Sequence, residues 1–160
     1  MKVSQSRRQS MKQLVGLIAA VPALGVYSAA AVAAKAPIYT SRSNKLALNG
    51  RDAVSYFEQG KAVAGDKAHS LEHEGARWLF ASAENKEKFM ADPQTFAPQF
   101  GGYCAFSVAK GKLFKGDPEL WDIENGQLFF NYNKGIHLLW LKRKQLLIAR
   151  AQANWPDILG

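Results

Sequence analysis

One residue in this chain is a soft nucleophile. Cys104 is the single cysteine among 160 residues, and it lies in Gln99-Phe100-Gly101-Gly102-Tyr103-Cys104-Ala105-Phe106. A thiol reacts as its thiolate, with a pKa of about 8.5 unless a cation, a helix start or a metal lowers it. Gly101 and Gly102 would let backbone N–H groups approach the sulfur closely, so the stretch Gly101-Gly102-Tyr103-Cys104 is the first candidate for redox or metal chemistry. The same thiol among Phe100, Tyr103 and Phe106 also has the surroundings of a small buried hydrophobe. Lacking a second cysteine, the chain forms no internal disulfide, no multi-thiolate zinc site and no intramolecular dithiol cycle. A redox role for Cys104 needs a partner thiol, a sulfenic acid or a persulfide.

The other soft ligands are few. His69 and His73 stand four apart, a spacing that serves one metal ion on a helix. Their segment alternates in polarity and reads as a strand, where four residues span about 13 Å, so one ion does not bind both. A site combining Cys104 with one of these histidines would suit copper(I) or zinc. His137 falls among basic residues and is expected at the surface. Asn131-Tyr132-Asn133 offers polar groups that could line a pocket with Tyr103 and Cys104, or could serve as strand-end turn chemistry.

The elements that must position these residues follow from pattern. Leu46–Gly50 is expected as a short strand closed by the turn signal Asn49-Gly50. Asp52 is expected to cap a helical turn over residues 53–57. Ala68–Glu74 and Arg77–Ala81 pair across Glu74-Gly75, with Trp78 and Phe80 on the core face. Ser82 caps a helix over Ala83–Ala91 that buries Phe89 and Met90, and Pro93 opens a second short helix with Phe96 inward. Residues 103–109 are apolar enough to be buried and too few to decide between strand and helix. Gly116-Asp117-Pro118 is expected as loop. Leu120–Glu124 and Gln127–Tyr132 form a second hairpin across Asn125-Gly126. From about Lys134 to Asn154 the chain is helical, with a break near Lys142-Arg143-Lys144 and a packing face of Leu147, Ile148, Ala151 and Trp155. All four tryptophans are expected in the core. The predicted class is α+β: a small single domain with two short β-hairpins packed by helices and a long C-terminal helix.

Residues 1–34 read as an export signal ahead of a linker or loosely docked arm over 35–45 and a domain over 46–157. Leu14 to Ala34 carries no charge, Ala31-Val32-Ala33 fits a small-x-small cleavage site, and Ser6-Arg7-Arg8-Gln9-Ser10-Met11-Lys12 is like a twin-arginine motif. Ser10 replaces the bulky apolar residue usual there, which leaves twin-arginine and general export both open. Exported protein, periplasmic or secreted, is the expectation; an uncleaved membrane anchor is the alternative, since the uncharged run is long enough to cross about 30 Å of hydrocarbon. The formal charge of +8 divides evenly, because Lys2, Arg7, Arg8 and Lys12 supply half of it. The excess left on the domain is too small to point to nucleic acid. Lys142-Arg143-Lys144 reads as a solvated face or as a docking surface for an acidic partner.

Five separated blocks carry a resemblance: Gly50-Arg51-Asp52-Ala53-Val54-Ser55-Tyr56-Phe57, Phe80-Ala81-Ser82-Ala83-Glu84-Asn85, Phe96-Ala97-Pro98-Gln99-Phe100-Gly101-Gly102-Tyr103-Cys104-Ala105, Asn131-Tyr132-Asn133-Lys134 and Ala153-Asn154-Trp155-Pro156. In this order they resemble the YHS-domain (seleno)proteins of bacteria. The resemblance implies an exported protein, selenocysteine in some relatives at the position of Cys104, and a link to heavy-metal handling. This chain departs from the metal-binding pattern at Ala81-Ser82-Ala83-Glu84-Asn85, where those relatives place cysteines.

Three functions are therefore expected in competition. The first is metal handling or thiol-based redox work through Cys104, with copper or zinc as the metal or a periplasmic redox partner. The second is a ligand- or protein-interaction module in which Cys104 is structural and a pocket or the basic helix meets the partner. The third is a peroxide- or thiol-reactive enzyme that draws on an external reductant.

Overall fold

A computed structural model describes residues 34–160 except Arg42; the expected export signal lies outside the described residues. The fold is α+β, with two separate two-stranded antiparallel sheets and six helices among the described residues. In chain order these are α1 (Ser55–Glu58), β1 (Asp66–His73), β2 (Ala76–Phe80), α2 (Ala83–Ala91), α3 (Pro93–Phe96), α4 (Ala105–Val108), β3 (Asp117–Glu124), β4 (Gln127–Asn131), α5 (Lys134–Leu141) and α6 (Lys144–Asn154). Ser82, Asp92 and Asn133 cap α2, α3 and α5, each side chain accepting a backbone N–H of the first turn. The long C-terminal helix is broken at Lys142-Arg143, where expected.

The two hairpins are versions of one unit. Strands of eight and five residues joined by two recur in both, 51 residues apart, from Asp66 to Asp117 and from Phe80 to Asn131. Both shift register at the same place, between Asp66 and Ser70 and between Asp117 and Trp121. Both turns put two residues at positive φ, Glu74-Gly75 and Asn125-Gly126. The preceding loops match as well. Leu48, Asn49 and Gly50 have φ of 53°, 50° and 80°, and Phe100, Gly101 and Gly102 have 56°, 59° and 83°. The Gly65 N–H then donates to the Gly50 carbonyl, as the Gly116 N–H does to Gly102. Likewise Asp52 N–H donates to Val63, and Cys104 N–H to Phe114. The domain is thus an internal duplication of a loop–helix–hairpin–helix unit, and Cys104 stands where the first repeat has Asp52.

Several sequence expectations change here. Leu46 and Ala47 form isolated bridges to Arg77 and Thr40 instead of a strand, because the left-handed residues 48–50 turn the chain at once. Asp117 and Pro118 open β3 and are not loop. Met90 is 54% exposed on the outer side of α2, leaving Phe89 as that helix's buried anchor. Trp78 and Trp140 are fully buried, whereas Trp121 and Trp155 pack only against the edges of the core. Tyr103 and Cys104 are extended, and the helix begins at Ala105.

Residues 35–39, in the segment expected as a linker or loosely docked arm, pack onto the domain. Ile38 is buried, Tyr39 N–H donates to the Gly101 carbonyl, and Lys35 N–H donates to Leu159. Gly101 is required there, since a Cβ at that position would run into the Pro37 carbonyl and φ is left-handed besides.

Two core clusters result. One gathers Tyr56, Trp78, Phe80, Phe89 and Phe130 around the first repeat; the other gathers Phe100, Phe129, Trp140, Leu147 and Ile148 around the second. Tyr56 crosses between repeats, its hydroxyl donating to the Pro118 carbonyl at 3.0 Å. Asp52 is the polar centre of the first repeat. It is fully buried, and its carboxylate accepts from Val54 N–H (2.8 Å), Ala81 N–H (2.8 Å) and Asn85 Nδ2 (2.6 Å).

Asp52→Ala orphans three donors at once, two of them buried, and is expected to lower the unfolding free energy by about 3 kcal/mol in urea titration. Asp52→Asn rescues it only in part, because its NH2 must face at least one of these donors, at best the Val54 N–H alone. Tyr56 supplies a pH test. Burial first, then the nearby Glu119 carboxylate, hold its hydroxyl ionisation far above the ordinary value. A folded-state pKa above the unfolded value of about 10 stabilises the fold below that pH and less as pH rises. Alkaline denaturation of wild type should therefore steepen above about pH 10 by up to roughly 1.4 kcal/mol per pH unit, and Tyr56→Phe should remove that component.

Candidate functional site

The sequence-predicted residues do not converge on a reactive centre. Cys104 is fully buried, between its N–H bond to Phe114 and an isolated parallel bridge to Phe130. No hydrogen bond to its sulfur occurs among the described residues. In the first repeat the equivalent position holds the Asp52 carboxylate with its three donors; in the second an apolar thiol fills the space. The carbonyls of the glycine pair are taken by backbone: Gly101 accepts from Tyr39 and Gly102 from Gly116. Gly116 must itself be glycine, since a Cβ there would overlap the Gly102 carbonyl.

Tyr103 is buried, and its hydroxyl donates to the Ala36 carbonyl at 2.9 Å. Burial, and secondarily Tyr39, push its ionisation up, so it stays a donor holding the N-terminal arm. His69 and His73 lie on β1. His73 packs edge-on against Trp78 and Phe89, and its carbonyl accepts the Trp78 indole N–H. Among the described residues, no three His, Cys, Asp or Glu side chains form a group that could hold a metal ion. No such three-residue donor group therefore surrounds Cys104 among the described residues.

The Asn131-Tyr132-Asn133 stretch divides. Asn133 caps α5 through Ile136 N–H at 2.9 Å, which is the turn-chemistry reading. Asn131 is fully buried; its Nδ2 lies 3.3 Å from His137 Nδ1, and its Oδ1 has no partner among the described residues. His137, expected at the surface, is instead half-buried by that contact. Tyr132 is 40% exposed and packs on Phe114 with ring centroids 6.0 Å apart.

Tyr132 and Asn133 do line a groove, but with α4 and not with Cys104. This groove holds about 580 Å³ between Phe106 on α4, Lys110 in the turn after it, Phe114, and Ile136 on α5. A second groove of about 370 Å³ adjoins it across Phe106 and Lys110, walled by Leu139, Leu146 and Leu147. Lys142, Arg143 and Arg150 edge the second groove, and no acidic side chain lines either one. Lys110 Nζ sits 5.7 Å from the centre of the Phe106 ring.

The duplication makes this opening informative. In the first repeat polar bonds cross the matching space beside α1: Asp52 ties Ala81 and Asn85, and the Ser55 hydroxyl shares its one proton between the carbonyls of Asp52 and Lys61 while accepting Val63 N–H. The second repeat has Cys104 for Asp52 and Ile136 for Asn85, and its matching space stays open and apolar. Sequence reading missed these walls because Phe106, Phe114, Leu139 and Leu146 look like ordinary core residues. The spacing of Gly60-Gly111, Gly65-Gly116 and Gly75-Gly126, each 51 apart, was the available signal for the repeat behind them.

Cys104 should thus be unreactive in the folded protein. Alkylation by iodoacetamide near neutral pH is expected to run at least about a hundredfold slower than in urea and to follow global unfolding. Cys104→Ser buries a hydroxyl without an evident partner and should cost about 1–3 kcal/mol, while Cys104→Ala should cost less.

No family model, curated protein or solved structure matches this chain.

Proposed function

We propose that this chain is an exported, YHS-like binding module that takes a partner with an apolar body and a negative charge, with Cys104 as packing. The observation that carries this reading is the pair of adjoining grooves on the second repeat, largely apolar in their walls and with cations as their only charged lining groups. Grooves of this size with apolar walls and a few charged groups suit ligand binding. Lys110, Lys142, Arg143 and Arg150 form no ion pair among the described residues, so their charge is available to a partner. Lys144, by contrast, is held by Asp122 and Glu124, whose carboxylates raise its pKa and fix α6 on the hairpin.

The metal and redox readings draw no comparable support. A sulfur without solvent contact or a nearby donor set has no route to an external thiol, peroxide or ion unless the fold opens. Among the described residues no helix is long and apolar enough to cross a membrane.

Titration with anilinonaphthalene sulfonate, an apolar anion, tests the groove. Wild type should enhance its fluorescence saturably. Lys110→Glu combined with Arg150→Glu should weaken binding at least tenfold, since each reversal replaces attraction with repulsion at the groove edge. Lys88→Glu on α2 should leave it unchanged. Equal affinity in all three proteins would overturn the proposal.

A further inference from the structure

The exposed apolar side chains of this protein are not scattered. The large hydrophobics with the greatest exposure are Met90, Phe114, Tyr132, Leu138, Leu139, Leu141 and Leu146. All but Met90 belong to the second repeat and the helices that follow it. Phe114 and Tyr132 line the larger groove, and Leu139 and Leu146 line the smaller. Leu138, 61% exposed, is next to Leu139 on α5 and lies on the outer side, because Trp140 two residues on points into the core. Clusters of exposed apolar side chains on a soluble protein mark interaction sites.

Charge is segregated in the same way. No Asp or Glu occurs between Gln127 and Pro156, nor between Pro93 and Gly116. The acids lie on the first repeat, on β3 and at Asp157. The apolar face therefore carries Lys110, Lys142, Arg143 and Arg150 with no opposing charge in its own segments. A second copy of the chain is a poor occupant, since a two-fold contact would set this cationic face against itself.

We infer that this face docks on the surface of an anionic phospholipid membrane, with Leu138 and Leu139 entering the headgroup–acyl boundary and the surrounding Lys and Arg meeting lipid phosphates. The inference rests on the binding reading above and names its partner. Leucines on a helix crest beside long cationic side chains are the composition of interfacial helices, and aromatic rings with a nearby lysine, as Tyr132 with Lys115 at 6.0 Å, favour the same boundary. Cations on flexible stems around aliphatic side chains select for negative charge and apolarity more than for a shape, which suits a lipid surface better than a folded acidic protein. A ligand small enough for one groove would leave Leu138 and Leu141 in water.

The test reports from the face itself, within the full chain. Leu138→Cys, labelled with an environment-sensitive fluorophore while the buried Cys104 stays unlabelled, is mixed with vesicles of phosphatidylglycerol and phosphatidylcholine, or of phosphatidylcholine alone. Met90→Cys, labelled alike, reports the opposite repeat. The expected result is a blue shift at position 138 and none at position 90, with partitioning at least tenfold stronger into the anionic vesicles. Adding Lys142→Glu and Arg143→Glu should weaken it at least tenfold, and 0.5 M salt should weaken it as well. Equal shifts at both positions would overturn the inference, since membrane contact would then not be confined to this face. So would a shift at 138 that needs no anionic lipid, or none with either vesicle. If vesicles fail while the charge reversals still abolish dye binding, the partner is a soluble amphiphile or an acidic protein and the binding face survives. If the dye is indifferent too, both readings fail.

Discussion

Backbone packed too closely for a side chain holds this molecule together. At Gly101 the chain passes against the Pro37 carbonyl, and at Gly116 against Gly102, with no space for a Cβ at either place. Those approaches let Tyr39 bond to Gly101 and Gly116 bond to Gly102, so the N-terminal arm, the loop and β3 meet along one seam. Cys104 follows directly and is sealed by that seam. The glycines that invite a reading as a reactive loop are there because three pieces of main chain must touch.

The duplication explains why the two halves differ in chemistry. Both repeats need something behind the left-handed loop to satisfy or fill the space between the short helix and the following hairpin. The first uses a buried carboxylate, which is stable only because three donors surround it. The second uses a thiol and an isoleucine, Cys104 and Ile136, which demand no donors. Removing the polar network also removes what drew the flanking segments together in the first repeat, and the groove beside Phe106 and Phe114 lies where that closure is missing. A stabilising device in one repeat and a candidate binding feature in the other thus occupy equivalent positions.

Much of this fold was legible from local signals. Asn125-Gly126 and Glu74-Gly75 set both hairpins, Ser82 and Asp92-Pro93 set two helix starts, and the Trp78/Phe80 period gave the buried face. Each of these depends on neighbours within a few residues. What escaped depends on contacts remote in sequence: Met90 facing out, Asp52 reaching Ala81 and Asn85, Tyr103 reaching Ala36. The repeat escaped for another reason. Its conformations are shared while its side chains are not, so Leu48-Asn49-Gly50 and Phe100-Gly101-Gly102 adopt the same left-handed run from dissimilar residues. Glycine spacing, with Asp66 and Asp117 each following a paired glycine, betrays it.

The distribution of charge ties the fold to the proposed binding. Carboxylates on the second hairpin serve the fold, as Asp122 and Glu124 do in holding Lys144. The helical segment after that hairpin contains no acid of its own, so its remaining cations face solvent without internal competition. A surface selected only for solubility would mix the signs, because interspersed charges avoid a single-sign field. Here one sign is kept beside the exposed leucines, at a cost in self-repulsion that the fold does not need to bear. Apolarity alone would make this face prone to association with any hydrophobic surface. Like charge around it repels a second copy and attracts an anionic partner, which turns a liability in solution into a selective contact.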